Sequence, residues 1–211
     1  EPAVQTARLI VENSCFDKVL FANSGAEANE GQIKLARKYA KDHGHPERFV
    51  VITMKESFHG RTLATCTATG QYPVHRYFEP LPDGFRYAEF NNLDSVKAIM
   101  DEYVCAILTE PVQGEGGVRP ASREFLQGLR ELCDEKGILL MFDEVQVGSG
   151  RTGKLFAHQY YGVEPDTCSM AKALGSGVPI AAVCAKGEAA KVLTPGTHGS
   201  TFAAWPPRRW M

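Results

Sequence analysis

Four apolar runs in this chain are almost continuous rather than alternating with polar residues, and they constrain the fold more than any other feature. These runs cover residues 49–54, 104–109, 138–142 and 180–184. A strand that is apolar at every position buries both of its faces, which is typical of a largely parallel sheet covered by helices. Helical spacing of apolar residues occurs at 4–13, 24–43, 91–102 and 122–136. The sequence therefore predicts an α/β protein with a mostly parallel sheet flanked by helices.

Composition narrows the functional classes. The chain has 211 residues, 44% hydrophobic and 23% charged, which is ordinary for a globular domain with a sizeable core. A net charge of -2, with scattered Lys and Arg, argues against nucleic-acid binding. The six cysteines form no C-x-x-C pair and are interpreted as reduced core thiols. Neither a membrane-spanning stretch nor a signal peptide is recognisable, so we expect a cytoplasmic protein.

An acid and an amine lie at the ends of two apolar segments. Asp143 closes the run 138–142, and Lys172 lies within the segment 169–174. Burying either charge is costly unless a partner compensates it. Pyridoxal phosphate would compensate both, because a lysine holds it as a Schiff base and a carboxylate keeps its ring nitrogen protonated. We therefore predict a buried Asp143 and a buried, partly neutral Lys172 beside this cofactor.

A helix start after a short predicted strand at 19–22 offers a second candidate site. Ser24-Gly25-Ala26-Glu27 opens the helix at 24–43, where free backbone N–H groups and the helix dipole favour a phosphate. The same residues form a Ser-x-x-Glu capping box, which requires no ligand. Both interpretations remain open.

Three further residues have functional and structural interpretations. Phe58 could stack on a planar cofactor or belong to the core, and Arg61 could bind a carboxylate or lie on a solvated helix face. Glu115, in a glycine-rich loop, could contact substrate or be one exposed acid among many.

The glycines at 148–153 resemble a nucleotide-binding loop but lack its strand and helix context, so they predict only a loop. No histidine or cysteine cluster has metal-ligand spacing, and no metal site is predicted.

Taken together, these segments resemble the class III (subgroup II) pyridoxal-phosphate aminotransferases, especially the acetylornithine/succinylornithine branch. The motifs that carry the resemblance lie at 23–30, 58–62, 110–117, 142–146, 171–175 and 198–201. The resemblance implies a fold-type I architecture. It also implies a large cofactor-binding domain over residues 1–202, followed at 203–211 by a tail without family character.

The resemblance assigns roles to matching residues. It implies that Lys172 holds the cofactor and moves a proton, while Asp143 pairs with the ring nitrogen. Cofactor contacts are further implied for Ser24, Gly25, Ala26, Phe58 and Gln146. Ser200 and Thr201 would reach the phosphate bound by a second subunit, which implies a homodimer. Arg61 would bind a substrate carboxylate, and Glu115 would gate a second arginine.

The implied reaction passes an amino group from N-acetylornithine, or a related ω-amino donor, to 2-oxoglutarate in arginine metabolism. Ornithine and 4-aminobutyrate aminotransferases share the same motifs and remain alternatives. Both chain ends are interpreted as cut, and the family pattern stops at Ala203, as expected for a shifted reading frame or an artificial truncation. A catalytically silent remnant without the C-terminal domain is therefore a further alternative.

Overall fold

A computed structural model describes residues 2–201, and the predicted tail at 203–211 lies outside this range. The α-helices are α1 (Pro2–Glu12), α2 (Gly25–Asp42), α3 (Leu63–Ala68), α4 (Tyr72–His75), α5 (Leu93–Ala98), α6 (Arg123–Lys136) and α7 (Ala157–Tyr161). None of these helices within 2–201 is both long and apolar enough to cross a membrane.

The strands form one large sheet and one small hairpin. They are β1 (Lys18–Ala22), β2 (Val50–Met54), β3 (Phe85–Ala88), β4 (Val104–Thr109), β5 (Val112–Gln113), β6 (Arg119–Pro120), β7 (Leu139–Asp143), β8 (Thr167–Met170) and β9 (Ala181–Ala185). The large sheet has the order β1-β9-β8-β7-β4-β2-β3, and β5 pairs with β6. The strands from β3 to β8 in this order pair in parallel, whereas β9 is antiparallel to both of its neighbours. The prediction of a mostly parallel, mixed sheet is confirmed.

Both faces of the central strands are buried, which explains their uninterrupted apolar sequence. Ile107 and Leu140 point into the core layer that contains Leu126 and Leu129 of α6. Leu108 and Met141 point to the opposite layer, which includes residues of α2. Because neighbouring residues of a strand face opposite sides, each side requires its own apolar partners.

The helix boundaries follow local capping signals. Ser122 Oγ accepts a hydrogen bond from Phe125 N at 3.1 Å, and α6 ends at Gly137, whose φ is +62°. This positive φ favours glycine because a Cβ would be strained there.

The helix predicted at 91–102 is shorter than expected. Only α5 forms, since Arg86 of β3 donates to the Ile99 carbonyl at 2.8 Å and satisfies the helix end.

The direction of the strands places the candidate residues together. β2, β4, β7 and β8 are parallel, so their carboxyl ends reach one edge of the sheet. Phe58 follows β2, Glu110 follows β4, Asp143 ends β7, and Lys172 follows β8. Ligands of such sheets bind beyond this edge.

We expect Leu140→Ala to lower the free energy of unfolding by about 2–5 kcal/mol, because it removes a buried side chain and leaves a cavity. Leu140 is 0% exposed, whereas Leu9 on α1 is 60% exposed and provides the matched control. Leu9→Ala should change stability by less than about 0.5 kcal/mol. Urea unfolding followed by circular dichroism measures both. Equal losses in the two variants would contradict the central position of β7.

Candidate active site

A cleft of about 260 Å³ opens at the carboxyl edge of the sheet. The predicted site residues that line it are Gly25, Ala26, Phe58, Arg61, Glu115, Asp143, Gln146 and Lys172. These residues come from segments as far apart in sequence as 25 and 172. The cleft therefore brings together most of the residues to which sequence analysis assigned a role.

Asp143 is buried at the end of β7, and four donors hold its carboxylate. Oδ2 accepts from Asn29 Nδ2 at 2.6 Å and pairs with His59 Nδ1 at 2.8 Å. Oδ1 accepts from the Val145 backbone N–H at 3.0 Å and from Ser169 Oγ at 3.3 Å. Hydrogen bonds of this kind compensate the cost of burying an anion. The result is a preorganised carboxylate in the wall of the cleft.

His59 and Asn29 are site residues that sequence reasoning missed. Both are buried and line the cleft, and Asn29 Nδ2 also donates to the His59 carbonyl at 2.8 Å. Sequence analysis assigns no role to His59, because no histidine cluster has metal-ligand spacing. Its position directly after Phe58 was the available signal. His59 Nε2 is buried and has no hydrogen-bond partner within residues 2–201.

Lys172 lines the same cleft as Asp143, but its environment differs from the prediction. The residue is exposed and begins a short 3₁₀ helix, so the prediction of a buried amine is wrong. β8 ends at Met170, and the chain turns outward before the lysine. Lys172 Nζ donates to Gln146 Oε1. Its φ of +48° is a left-handed conformation that costs energy in a residue other than glycine.

The start of α2 forms one wall of the cleft. Ser24 is exposed, and its Oγ accepts from Glu27 N at 3.2 Å, so it serves as the helix cap. Glu27 reaches back to the Asn23 backbone N–H at 2.7 Å rather than to Ser24, which displaces the predicted capping box by one residue. Gly25 and Ala26 line the cleft, whereas Ser24 is outside its lining.

Glycines allow the chain to pass closely around the cleft. A Cβ at Gly25 would lie 2.7 Å from Cγ1 of Val145, and a Cβ at Gly114 would lie 2.2 Å from Cγ of Gln146. Contacts this short are forbidden sterically, so side chains at these positions would displace Val145 and Gln146 from the cleft.

Two charged residues mark the mouth of the cleft. The Arg61 guanidinium lies 5.5 Å from the centre of the Phe58 ring, within the range of a cation–π contact. Glu115 is exposed, and its Oε2 accepts from Gln71 Nε2 at 2.6 Å. Arg61 and Glu115 therefore place charges of opposite sign in the cleft lining.

Glu110 connects two loops of the cleft. Its carboxylate accepts from Phe58 N at 3.0 Å and from Gly114 N at 3.3 Å. Burial raises the pKa of the Glu110 carboxyl to about 7; the nearby His59 opposes this rise and the Asp143 carboxylate adds to it. This acid titrates near neutral pH and holds the loop that carries Phe58.

Ser200 and Thr201 lie outside the cleft of their own chain. They line a neighbouring cavity together with Asn23 and His198, and Ser200 Oγ accepts from Asn23 Nδ2 at 2.9 Å. Of the predicted cofactor contacts, these two residues and Ser24 are the ones that do not line the cleft.

A parallel sheet whose carboxyl edge joins a buried carboxylate and a lysine in one cleft has the architecture of the fold-type I pyridoxal-phosphate enzymes. The family model described as Aminotransferase class-III matches residues 1–209. The chain belongs to the class-III aminotransferases, a family of transferases that use pyridoxal phosphate.

Known relatives agree with this assignment. The chain is 52% identical to a succinylornithine transaminase of Salmonella paratyphi A over 206 residues, which are 98% of this chain and 50% of that protein. It therefore spans about half the length of the curated relatives it matches.

Solved structures share the fold. The ornithine aminotransferase of Toxoplasma gondii ME49 superposes with a TM-score of 0.89 at 37% identity, over 95% of this chain and 49% of that one. The N-acetylornithine aminotransferase of Stenotrophomonas maltophilia gives a TM-score of 0.76 at 42% identity, over 92% and 48%. A further structure of the Toxoplasma gondii enzyme is described as having partial occupancy of PLP at its active site.

The residues of the cleft fit pyridoxal phosphate chemically. The buried Asp143 carboxylate is an anion of the kind that a protonated ring nitrogen requires, and the Lys172 amine is a group of the kind that condenses with an aldehyde. Glycine at positions 25 and 114 lets Val145 and Gln146 keep their places in the cleft lining. The donor set therefore suits this cofactor.

Glu110→Gln tests the buried acid through stability. Because its folded pKa lies above the usual 4.5, the folded protein binds more protons than the unfolded chain between about pH 4.5 and 7. The free energy of unfolding of the wild type should therefore fall as the pH rises through this window. Relative to the glutamine variant, the loss should reach roughly 3 kcal/mol.

Urea unfolding on the acid and alkaline sides of this window measures the difference. The control is Glu115→Gln, an exposed carboxylate in the same loop, which should keep the wild-type pH profile. If Glu110→Gln also retained the wild-type profile, the raised pKa of Glu110 would be refuted.

Proposed function

We propose that residues 1–202 form the cofactor-binding large domain of an aminotransferase acting on an acylated ornithine. The amino donor would be N-acetylornithine or succinylornithine, and the acceptor 2-oxoglutarate. The observation that carries the proposal is that the Asp143 carboxylate and the Lys172 amine line the same cleft. The 52% identity to a succinylornithine transaminase supports this donor class.

The cleft residues divide the chemical work. When bound, pyridoxal phosphate serves as an electron sink for a carbon that has lost its proton. Asp143, held by Asn29 and His59, would keep a proton on the ring nitrogen. Lys172 Nζ would anchor the cofactor and carry the proton to and from the substrate carbon, and Gln146 orients this amine.

Substrate binding would fall to the charged residues at the mouth. Arg61 can bind the carboxylate of 2-oxoglutarate through two parallel N–H bonds, a geometry that guanidinium provides best. Glu115, which is held by Gln71, would form an ion pair with a second arginine of the protein. A substrate carboxylate would then displace Glu115 from that arginine.

Lys172→Ala should abolish glutamate formation from N-acetylornithine or succinylornithine and 2-oxoglutarate, because no other amine would occupy its place. Lys97→Ala, on the exposed side of α5, is the matched control and should retain wild-type rates. Glutamate release measured by a coupled assay decides the matter. Turnover by Lys172→Ala would overturn the proposed role.

The choice of donor is tested in the same assay. We expect the acylated ornithines to give a higher kcat/KM than ornithine or 4-aminobutyrate. A preference for ornithine or 4-aminobutyrate would contradict the proposed donor and assign the protein to the corresponding branch of the family. Cofactor absorption without glutamate formation from any of the four donors would support the alternative of a silent remnant.

We also propose a homodimer, because Ser200 and Thr201 lie outside their own cleft and would be free to contact a cofactor in a second subunit. Sedimentation equilibrium should give twice the chain mass. A monomer that binds cofactor with full affinity would contradict a contribution of these residues across subunits.

A further inference from the structure

A second group of reactive side chains lies away from the cleft and comes from four parts of the chain. Cys15 follows α1, Glu144 follows β7, His158 belongs to α7, and Cys168 lies in β8. Donor atoms of Glu144, His158 and Cys168 all lie within 4.8 Å of one another, and all three residues are buried. Cys15 is half-buried, with Sγ 3.7 Å from His158 Nε2. Thiol and imidazole donors therefore converge here.

Glu144 orients the histidine rather than offering a free ligand. Its carboxylate already accepts from the backbone N–H groups of Ala157 at 2.5 Å and His158 at 2.8 Å. Glu144 Oε1 also lies 3.1 Å from His158 Nδ1, which therefore carries the proton. This leaves the Nε2 lone pair directed toward Cys15. Histidines that bind metals are commonly oriented by a carboxylate in this way.

The spacing of sulfur and nitrogen matches tetrahedral zinc. With Zn–S of about 2.3 Å and Zn–N of about 2.0–2.1 Å, two ligands at the tetrahedral angle lie about 3.5 Å apart. The observed distance from Cys15 Sγ to His158 Nε2 is 3.7 Å. Only a small adjustment is required for a cation to bridge these two atoms.

Solvent can reach this group. Cys15 and His158 line a cavity of about 420 Å³, distinct from the cleft that contains Asp143. A cation could enter from this cavity, and water could complete its coordination there.

We propose that Cys15 and His158 bind a borderline-soft divalent cation such as Zn²⁺ or Cd²⁺, with Glu144 orienting the imidazole and water from the cavity completing the coordination. Thiolate and imidazole ligands select such metals over Mg²⁺ and Ca²⁺. Binding as a thiolate releases the Cys15 proton to solvent.

Titration of the reduced protein with Cd²⁺ tests this site. A thiolate-to-cadmium charge-transfer band should appear and saturate, and Zn²⁺ should bind in competition with a chromogenic chelator. Cys15→Ser should weaken binding at least tenfold, because it removes a metal ligand. Cys66→Ser, which changes a buried thiol on α3, should bind like the wild type.

His158→Gln should weaken Cd²⁺ binding at least as much as Cys15→Ser, and thermal melts establish that each variant is folded. Cys15 is half-buried, so its serine variant decides the outcome even if His158→Gln unfolds. Absence of a saturable band in the wild type, or equal binding by Cys15→Ser and the wild type, would overturn the proposal. Neither result bears on the aminotransferase assignment, which rests on the other cleft.

Discussion

The hydrogen bonds to the Asp143 carboxylate are the interaction on which the site depends. One donor comes from α2, one from the loop after β2, one from β8, and one from the backbone just after β7. Removing a partner from a buried charge costs about 3–5 kcal/mol, so these elements are coupled energetically through one side chain. The same bonds that hold this anion in the cleft also join the helix layer to the sheet.

Much of the fold follows from the sequence, because strands buried on both faces require an apolar residue at every position. The direction of a strand is not encoded in this way. β9 is as apolar as the parallel central strands, yet it runs antiparallel to its two neighbours, β1 and β8. β3 was not among the predicted strands, because its Phe-Arg-Tyr-Ala sequence is not a continuous apolar run. Most of this edge strand is only half-buried.

The site was only partly predictable, for a related reason. Strand ends are visible in the sequence, so Asp143 and the segment around Phe58 could be identified. Contacts between distant segments are not visible, so the contact of His59 with Asp143 could not be predicted. The group of Glu144, His158 and Cys168 was missed likewise, since these residues come from separate elements. Lys172 is exposed because β8 ends at Met170, and the apolar sequence at 169–174 gives no sign of this strand end.

The left-handed backbone of Lys172 has a consequence for attempts to make this protein more heat-resistant. Its φ of +48° costs on the order of 1–3 kcal/mol for a residue with a Cβ, whereas glycine would adopt it freely. A search guided by melting temperature alone would favour glycine there and discard the amine. Thermal robustness and the role proposed for this amine thus compete at a single backbone position, and protein engineers should keep this lysine fixed.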